Sequence, residues 1–334
     1  MPKVALVQVV YNSMRFIPTV LPAALNQTER DTEFYAVISA NDDGSKEYIE
    51  QHFPSVKVVD PGYNIGFARG HNEIFASVDA EFFQLVNPDL VMSPDYVEQL
   101  LKAFGDHPNF GACTGKLLNY DFDKMVPKTT IDSTGVVIHR SGRAYDRGQH
   151  EKDTGQYSTP SSLIAISAAA AMYRRRALEE VAQERENGKR EYFDEDFHSY
   201  WEDVDLSWRL VNAGWENRYC PSAVAHHGRS VPSSPGGYRK IVSFIRHRRS
   251  IDPKIRRLNY RNHVFLFVKN SPKWYGQFFV REFCYNIYLL IMETTTLAEL
   301  PKLLKMLPSM LKKRAVIKAS RTVPIEKLES LIER

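Results

Sequence analysis

The run Val4-Ala5-Leu6-Val7-Gln8-Val9-Val10 decides how the chain begins to fold, because it is short, apolar and rich in β-branched residues. Such a run is typical of a parallel strand that is buried on both faces. A polar loop follows at Tyr11-Asn12-Ser13, and residues 16–27 have the pattern of a helix. The chain therefore opens as a strand, a loop and a helix.

The same unit recurs through the first 104 residues. Further strands are predicted at 33–39, 56–59 and 81–86. Helices are predicted at 46–52 and 95–104, and another helix is predicted to end near residue 78. This alternation indicates βαβ units around a mainly parallel sheet. Ligands bind at the carboxyl ends of the strands in such sheets, and here polar segments follow the strands. Later in the chain, residues 134–142 resemble a hairpin, and residues 163–172 are predicted to form a strand that leads into a helix.

The composition is that of a folded protein with one large domain and an appendage, or with two domains. The chain has 334 residues, of which 43% are hydrophobic and 25% charged. Its cysteines, Cys113, Cys220 and Cys284, are widely spaced, which favours a reducing compartment and argues against a disulfide framework or a cysteine-rich zinc site. We find no signal-peptide pattern and no run of about 18 apolar residues that would span a membrane.

Charge divides the chain into two parts. Residues 236–334 contain 21 Lys/Arg and 7 Asp/Glu, a net charge of +14, which leaves −10 for residues 1–235. The stretch 232–237 has linker composition, so we predict domains at 1–235 and 236–334. Basic clusters alternate with amphipathic helices in the second part, which favours attachment to an anionic membrane surface. The alternatives are that these helices pack on the first domain or on a second subunit, or that the protein is a non-catalytic membrane- or nucleic-acid-binding protein.

An acidic stretch among aromatic residues, 193–206, precedes a predicted helix that stops near Gly214. Glu202, Asp203 and Asp205 fall at or near the start of this helix, where the helix dipole favours carboxylates. The rival interpretation is that one of them is a general base beside a bound substrate.

Three other segments are each ambiguous when taken alone. Asn87-Pro88-Asp89 either forms a turn or holds a divalent cation. Gly66, Arg69 and Gly70 either ease a turn into a helix or cradle a diphosphate. The pair His226-His227 suits a surface role or a Mn²⁺ site, and on an extended segment at most one of the two faces the site.

Taken in order, these segments resemble an inverting, family 2 type glycosyltransferase with the GT-A fold. The resemblance covers roughly residues 3–232 and is closest to the bacterial rhamnosyltransferase-like members that build cell-surface polysaccharides. The matching motifs are Tyr11-Asn12-Ser13, Asn64-Ile65-Gly66-Phe67-Ala68-Arg69-Gly70-His71-Asn72, Asn87-Pro88-Asp89, 169–175, Glu202-Asp203-Val204-Asp205-Leu206-Ser207-Trp208-Arg209, and His226-His227-Gly228-Arg229-Ser230.

The resemblance implies an α/β GT-A domain followed by a helical C-terminal extension, and transfer of a sugar from a nucleotide-diphosphate donor to a glycan. The best match is L-rhamnose from dTDP-rhamnose, transferred to a polyprenyl-diphosphate-linked glycan. The alternatives are a UDP-hexose or UDP-galactofuranose donor, and an inactive member of the family. The basic clusters and the apolar helix after Tyr260-Arg261-Asn262 imply a cytoplasmic protein held peripherally at the inner face of the membrane. Nucleic acid is not an expected partner, and a homo-oligomer is left open.

The resemblance also implies roles for individual residues. Asp203 is the expected general base, Glu202 or Asp205 orients the acceptor, and residues 194–196 shape the acceptor side. Asp89 with His226 is expected to hold Mn²⁺ or Mg²⁺. The residues expected to bind the nucleotide sugar are Val10, Tyr11, Asn12, Ser39, Asn64, Gly66, Arg69 and Asn87. The family usually has an aspartate at the end of the second strand, but Ser39 stands there in this chain, with Asp42 three residues later.

Overall fold

The computed structural model describes residues 2–105, 107–185, 188–229, 245 and 248–334. The predicted linker at 232–237, the domain boundary at 235/236, Ser230 and the pair Arg246-His247 lie outside the described residues.

The N-terminal part alternates strands and helices, as predicted. Its elements are β1 (Val4–Tyr11), α1 (Ile17–Leu25), β2 (Thr32–Ala40), α2 (Ser45–His52), β3 (Lys57–Val59), α3 (Phe67–Ser77), β4 (Phe82–Leu85), β5 (Leu90–Met92) and α4 (Tyr96–Phe104). Strand β1 pairs in parallel with β2 on one side and β4 on the other, and β2 pairs in parallel with β3. The carboxyl ends of these strands therefore share one edge of the sheet.

The apolar run of β1 is buried on both faces of the sheet. Val4, Leu6 and Val10 belong to one hydrophobic cluster, and Ala5 and Val7 belong to another. This alternation is the period-2 geometry of a strand covered by helices on both sides. The prediction of a buried central strand from this run is confirmed.

The middle of the chain extends the sheet with mixed directions. Its elements are β6 (Phe110–Asp121), β7 (Val126–Ser133), β8 (Val136–Ile138), β9 (Ala144–Asp146), β10 (Ser161–Leu163), β11 (Met172–Arg174), α5 (Arg175–Val181), β12 (Gln183–Glu184), β13 (Arg190–Glu191), a 3₁₀ turn (Glu195–Phe197), α6 (Glu202–Asn212) and β14 (Glu216–His227). The sheet has the order β10-β14-β6-β11-β4-β1-β2-β3, with β5 paired to β14 and β7 to β6. The α/β prediction is confirmed: β1–β4 pair in parallel, β14 pairs in parallel with β6, and the other pairings of this sheet are antiparallel.

The prediction of a strand over 163–172 is wrong for its central part. Only its ends are strands, and residues 164–171 form a buried connection without regular structure. Side chains take up its backbone groups: Ser207 Oγ accepts from the Ile166 amide at 3.2 Å, and the Tyr96 hydroxyl donates to the Ala170 carbonyl at 2.8 Å. Small residues let this segment pass close to α6 and the sheet, and the same residues look like a strand in the sequence.

The C-terminal helices pack on α6. They are α7 (Pro253–Asn270), α8 (Gly276–Met292), α9 (Thr294–Leu297), α10 (Leu300–Ala319) and α11 (Ile325–Ser330). Val204 and Trp208 of α6 share one hydrophobic cluster with Phe265 and Leu266 of α7 and Met310 of α10. Within the described ranges, no helix is both long enough and apolar enough to cross a bilayer.

Lys269 of α7 is the centre of a buried ion network that fastens these helices to the acidic stretch. Its ammonium lies 2.6 Å from Asp194 and 2.8 Å from Asp205, and all three side chains are fully buried. Lys313 of α10 lies 2.6 Å from Asp194 and 2.8 Å from Asp196. Burial alone would raise the pKa of Asp194, but the two lysines hold this pKa well below its usual range. Asp194 therefore holds the C-terminal helices in place, and its expected role in shaping the acceptor side stays a prediction.

We expect Lys269→Met to lower the free energy of unfolding by about 3–5 kcal/mol, because it leaves buried carboxylates without their partner. Urea denaturation followed by circular dichroism measures this change. The matched control is Lys273→Met, which removes a half-exposed ion pair with Glu329 and should cost no more than about 1 kcal/mol. Equal stability of the two variants would contradict the structural role of Lys269.

Candidate active site

The three carboxylates at the start of α6 have different surroundings. Asp205 is fully buried, and it bonds Arg209 at 2.9 Å, Lys269 at 2.8 Å and the Asn270 amide at 2.7 Å. Burial alone would raise the pKa of Asp205, but Lys269 and Arg209 hold it below its usual value. Asp205 is therefore a structural residue that is engaged on every side by α6 and α7.

Asp203 faces a cavity of about 180 Å³ and keeps part of its surface open to it. Its Oδ2 accepts from the Ala168 amide at 3.0 Å, and its Oδ1 accepts from the Val204 amide at 2.8 Å. Desolvation raises the pKa of Asp203 above its ordinary value, although these backbone hydrogen bonds oppose the rise. A carboxylate that is oriented by two amides and has a raised pKa suits the role of a general base.

Glu202 lies beside Asp203 but does not line this cavity. It is buried, and its Oε2 has no hydrogen-bond partner among the described residues. Burial and the neighbouring Asp203 raise the pKa of Glu202 well above its usual value. The predicted catalytic role of Glu202 stays a prediction.

The cavity in front of Asp203 has an aromatic and polar wall. It lies between the hairpin of β8 and β9, the loop before α6, and α7. The lining residues are Val136, Ala144, Tyr145, Asp146, Ser167, Tyr200, Trp201, Asp203, Val204 and Asn259. Rings combined with hydrogen-bonding groups can hold an amphipathic ligand such as a sugar.

Asp89, which lies between β4 and β5, is next to a histidine at the end of β14. The register aligns His227 with Leu90 and His226 with Val91. His227 Nε2 lies 3.1 Å from Asp89 Oδ1, and both side chains are buried. His226 is instead half-buried, near the Tyr120 ring. The candidate metal ligand beside Asp89 is therefore His227, where the sequence prediction assigned His226.

A chain of charges links His227 to the cavity of Asp203. His227 Nδ1 lies 2.9 Å from Asp132, and Arg229 lies 2.6 Å from Asp132 and 2.5 Å from Asp146. Asp146 lines the cavity. Burial alone would lower the pKa of His227, but Asp89 and Asp132 raise it to about 10, so both ring nitrogens carry a proton here. A metal ion at Asp89 would bind Nε2 in place of that proton, while Asp132 fixes the orientation of the ring through Nδ1.

Two consecutive backbone groups connect the Asp203 site with the Asn87-Pro88-Asp89 segment. The Ala168 amide donates to Asp203, and the carbonyl of Ala169 accepts from the Asn87 amide at 3.0 Å. Asn87 Nδ2 also lies 3.4 Å from His227 Nε2. The buried connection 164–171 thereby links the candidate base to the segment that precedes Asp89.

A second cavity, of about 460 Å³, lies at the carboxyl ends of β1, β2 and β3. Its lining residues are Tyr11, Ile38, Ser39, Ala40, Asn41, Asp42, Asp60, Gly62, Tyr63 and Asn64. The rings of Tyr11 and Tyr63 are both half-exposed or more. Flat rings beside polar groups suit a nucleoside, whose base stacks and whose edge accepts and donates hydrogen bonds.

Ser39 ties this cavity to the glycine-containing loop that follows β3. Its hydroxyl donates to Asn64 Oδ1 at 3.0 Å and accepts from the Gly66 amide at 3.1 Å. Gly66 has φ 76°, and a Cβ there would lie 2.9 Å from the His198 ring. Glycine is thus required by a positive φ and by contact with His198.

Three other residues predicted to bind the nucleotide sugar are Val10, Asn12 and Arg69. Asn12 bonds Asp42 on both its amide nitrogen and oxygen. Val10 is a buried residue of β1 outside the lining. Arg69 lies over the Tyr63 ring and 3.7 Å from Glu73.

The residues beside His227 fit a divalent cation in part. A buried carboxylate and an imidazole 3.1 Å apart are ligand types that Mn²⁺ accepts, and Mg²⁺ is commonly bound by one or two carboxylates plus substrate phosphates. In the part of the chain that the structure describes, no group of three or more His, Cys, Asp or Glu residues suits a metal. The diphosphate of a bound donor would therefore have to supply further ligands.

The sequence prediction missed several residues of the site, and some of these have no signal in the sequence. Asp132 is at the end of β7 and Asp146 at the end of β9, so only the fold brings them to β14. Asp60 and Tyr63 follow β3, and their position after the carboxyl end of a parallel strand could have indicated them as ligand-binding residues. Trp201 and Tyr200 lie within the acidic stretch, where the sequence prediction assigned roles to the carboxylates and none to these aromatic residues.

Residues 6–182 match the family model described as glycosyl transferase family 2. The N-acetylglucosaminyl-diphospho-decaprenol L-rhamnosyltransferase of Mycobacterium tuberculosis (strain CDC 1551 / Oshkosh) is 27% identical over 221 residues, covering 60% of this chain and 68% of the relative.

Two solved structures share the fold. The mannosyltransferase PcManGT from Pyrobaculum calidifontis, in complex with GDP-Man and Mn²⁺, has 16% identity and a TM-score of 0.50, covering 99% of this chain and 84% of its own. GalNAc-T7 with UDP, GalNAc and Mn²⁺ has 10% identity and a TM-score of 0.54, covering 86% and 54%. These structures confirm the predicted GT-A fold.

Proposed function

The chain belongs to glycosyl transferase family 2, and from that premise we propose that it inverts the anomeric centre of a nucleotide-diphosphate sugar while transferring the sugar to a hydroxyl group. The observation that carries the proposal is the joining of two sites by Ala168 and Ala169. Their backbone groups bond Asp203 on one side and Asn87 on the other. The proposed base and the segment that contains Asp89 are thereby hydrogen-bonded to neighbouring residues of one buried connection.

Asp203 is the proposed general base. Its carboxylate takes the proton of the acceptor hydroxyl as that oxygen forms a bond to the anomeric carbon. The bond from this carbon to the diphosphate breaks, and the diphosphate leaves with the electron pair. A single displacement needs one base and inverts the configuration, unlike the two-carboxylate mechanism of a retaining hydrolase.

Asp89 and His227 are the proposed metal ligands, with Asp132 orienting the imidazole. A bound Mn²⁺ or Mg²⁺ would stabilise the charge that develops on the departing diphosphate. The nucleoside is proposed to occupy the cavity at the ends of β1, β2 and β3, with Tyr11 and Tyr63 beside the base.

For the donor and acceptor, we propose dTDP-L-rhamnose and a polyprenyl-diphosphate-linked glycan. The Mycobacterium tuberculosis relative is named for rhamnosyl transfer to N-acetylglucosaminyl-diphospho-decaprenol. The test is a panel of dTDP-, UDP- and GDP-sugars, each with Mn²⁺ or Mg²⁺, read by thermal shift and nucleoside diphosphate release. Greatest stabilisation and turnover with dTDP-rhamnose supports the proposal, and preference for a UDP-sugar rejects this donor.

We also propose that the C-terminal helices bind an anionic membrane surface. Six exposed apolar residues of α8 lie within about one third of its circumference at 100° per residue, whereas exposed Met292 at its C-terminal end lies outside this arc. The six are Phe279, Val280, Phe283, Ile287, Leu290 and Ile291. On α10, exposed Leu304 and Leu311 alternate with exposed Lys305 and Lys312. Apolar and basic residues on one amphipathic surface favour binding in the plane of a bilayer with anionic headgroups.

We expect the double substitution Phe283→Asp with Ile291→Asp to weaken binding to phosphatidylglycerol vesicles by roughly a hundredfold or more, since each buried side chain contributes about 1.5–3 kcal/mol. These side chains are 69% and 70% exposed, so the fold should survive. Vesicle sedimentation measures the binding. The control is Met125→Asp with Val126→Asp, which adds the same charge on the β6–β7 hairpin. Wild-type protein that stays in the supernatant would contradict the proposal.

A further inference from the structure

The loop before α6 has an unusual backbone. His198, Tyr200 and Trp201 have φ values of 63°, 70° and 75°. Residues with a Cβ seldom adopt this left-handed region, and a cluster of them persists only where neighbouring groups hold it. The loop leads directly into Glu202 and Asp203, so its conformation fixes where α6 begins.

Asn262 of α7 holds this loop from the C-terminal part of the chain. The side chain of Asn262 is fully buried. Its amide donates to the carbonyl oxygens of Phe197, Ser199 and Tyr200 at 2.9, 3.0 and 2.9 Å. The two N–H groups of one side chain are therefore shared among three backbone carbonyls of the strained segment.

Arg261, the preceding residue, holds the start of the same loop. It is buried, it donates to the Asp196 carbonyl at 3.0 Å, and it pairs with Glu299 at 3.0 Å. The Tyr260-Arg261-Asn262 segment thus acts on the loop before α6, although it lies about 60 residues further along the chain.

The side chains of the loop form a wall of the Asp203 cavity, and α7 completes that wall. Tyr200 and Trp201 line the cavity together with Asn259 of α7. The indole Nε1 of Trp201 donates to Asn259 Oδ1 at 2.8 Å. The orientation of the Trp201 ring is therefore set by a residue of the C-terminal part.

We propose that α7 builds the acceptor side of the active site, with Asn262 as the positioning residue of the loop and Trp201 as the surface on which a sugar ring of the acceptor packs. This inference rests on the proposed function, since it takes Asp203 as the base for an acceptor hydroxyl. An aromatic ring beside hydrogen-bonding groups suits the apolar face and hydroxyl edge of a pyranose. The C-terminal part then contributes to acceptor recognition as well as to attachment.

The test is Asn262→Ala in the full chain, compared with wild type by hydrogen–deuterium exchange and by kinetics. Loss of the three hydrogen bonds should speed amide exchange in residues 197–205 and leave β1 and β2 unchanged. Transfer to a synthetic N-acetylglucosaminyl-diphospho-lipid should fall by roughly 10–100-fold, because a small misplacement of reacting groups is costly. The dissociation constant of dTDP-rhamnose should not change.

A second variant, Asn259→Ala, removes the hydrogen bond to Trp201 and a local bond to the Ile255 carbonyl within α7 at a half-buried position, so it tests the wall even if Asn262→Ala folds poorly. Its expected effect is a higher KM for the acceptor with little change in donor binding. The control is Asn109→Ala, which removes the bond of an exposed amide to Glu216 at the start of β14.

The results separate this inference from the proposed function. Unchanged exchange and unchanged transfer in both variants would overturn the inference, as would faster exchange with unchanged transfer. Wild-type protein that consumed no nucleotide sugar would contradict the proposed function instead, because the exchange comparison needs no substrate.

Discussion

Asp203→Asn is expected to lower kcat by about 10²–10⁴-fold, the usual contribution of a general base. The amide keeps the shape of the side chain, but its single oxygen can accept from only one of the Ala168 and Val204 amides, so the free energy of unfolding should fall by about 1–3 kcal/mol. Donor binding should stay near the wild-type value. Nucleoside diphosphate release under saturating donor measures kcat, and titration calorimetry measures the donor dissociation constant.

Asp205→Asn is the informative comparison for this variant. Asp205 does not line the cavity, and it bonds Lys269, Arg209 and Asn270. Compared with Asp203→Asn, this variant should therefore have the larger loss in free energy of unfolding and the smaller loss in kcat. In wild type, the raised pKa of Asp203 should place the acidic limb of the kcat profile above the ordinary aspartate value of about 4. Full turnover by Asp203→Asn would remove Asp203 as the base.

Asp89→Ala is expected to remove metal-dependent donor binding together with activity. The substitution takes away a buried carboxylate and leaves His227 with Asp132 alone. Metal stabilisation of a leaving group is worth several kcal/mol, and each 1.36 kcal/mol is a tenfold change in rate, so we expect a loss of at least about a hundredfold.

Binding of Mn²⁺ in the presence of the donor, followed by electron paramagnetic resonance, checks the Asp89 prediction without relying on turnover. His227→Ala should weaken Mn²⁺ binding, and His226→Ala should leave it unchanged. The control is Asp123→Ala, which removes an exposed carboxylate of the β6–β7 hairpin paired with Arg15. An Asp89→Ala enzyme that is active in EDTA would refute the metal assignment.

The parallel part of the fold was predictable because its signals are local. The run of β1 is apolar and β-branched, and the polar segments come where strands end. Residues 164–171 were misassigned because a buried irregular segment and a buried strand both need small apolar residues. What distinguishes them is whether side chains such as Ser207 and Asp203 take up the backbone groups, and those partners lie elsewhere in the chain.

The site was predictable to the level of motifs, and the fold decides between neighbouring residues. Alternation along a strand indicates that one histidine of the pair at 226–227 faces inward, but the pairing of β14 with β5 decides that it is His227. Among the three carboxylates of α6, the neighbours from α7 separate Asp205 from Asp203. Asp132 and Asp146 come from other strands, so no spacing in the sequence indicates them.

The charge asymmetry of the chain has an internal explanation in addition to the proposed membrane contact. The front of the chain carries −10 and the tail +14. Lys269 and Lys313 of the tail form ion pairs with Asp194, Asp196 and Asp205 of the front. Part of the basic tail thus neutralises the acidic stretch, while the exposed lysines of α10 stay available to a surface.

The stereochemistry of the product tests the central claim most directly. Wild-type protein is incubated with dTDP-L-rhamnose, Mn²⁺ and the synthetic N-acetylglucosaminyl-diphospho-lipid, and the anomeric configuration of the new glycoside is read by proton NMR. We predict one nucleoside diphosphate released for each glycoside formed, with the anomeric configuration opposite to that of the donor. Retained configuration, or no consumption of any sugar in the donor panel, would contradict a single displacement assisted by Asp203.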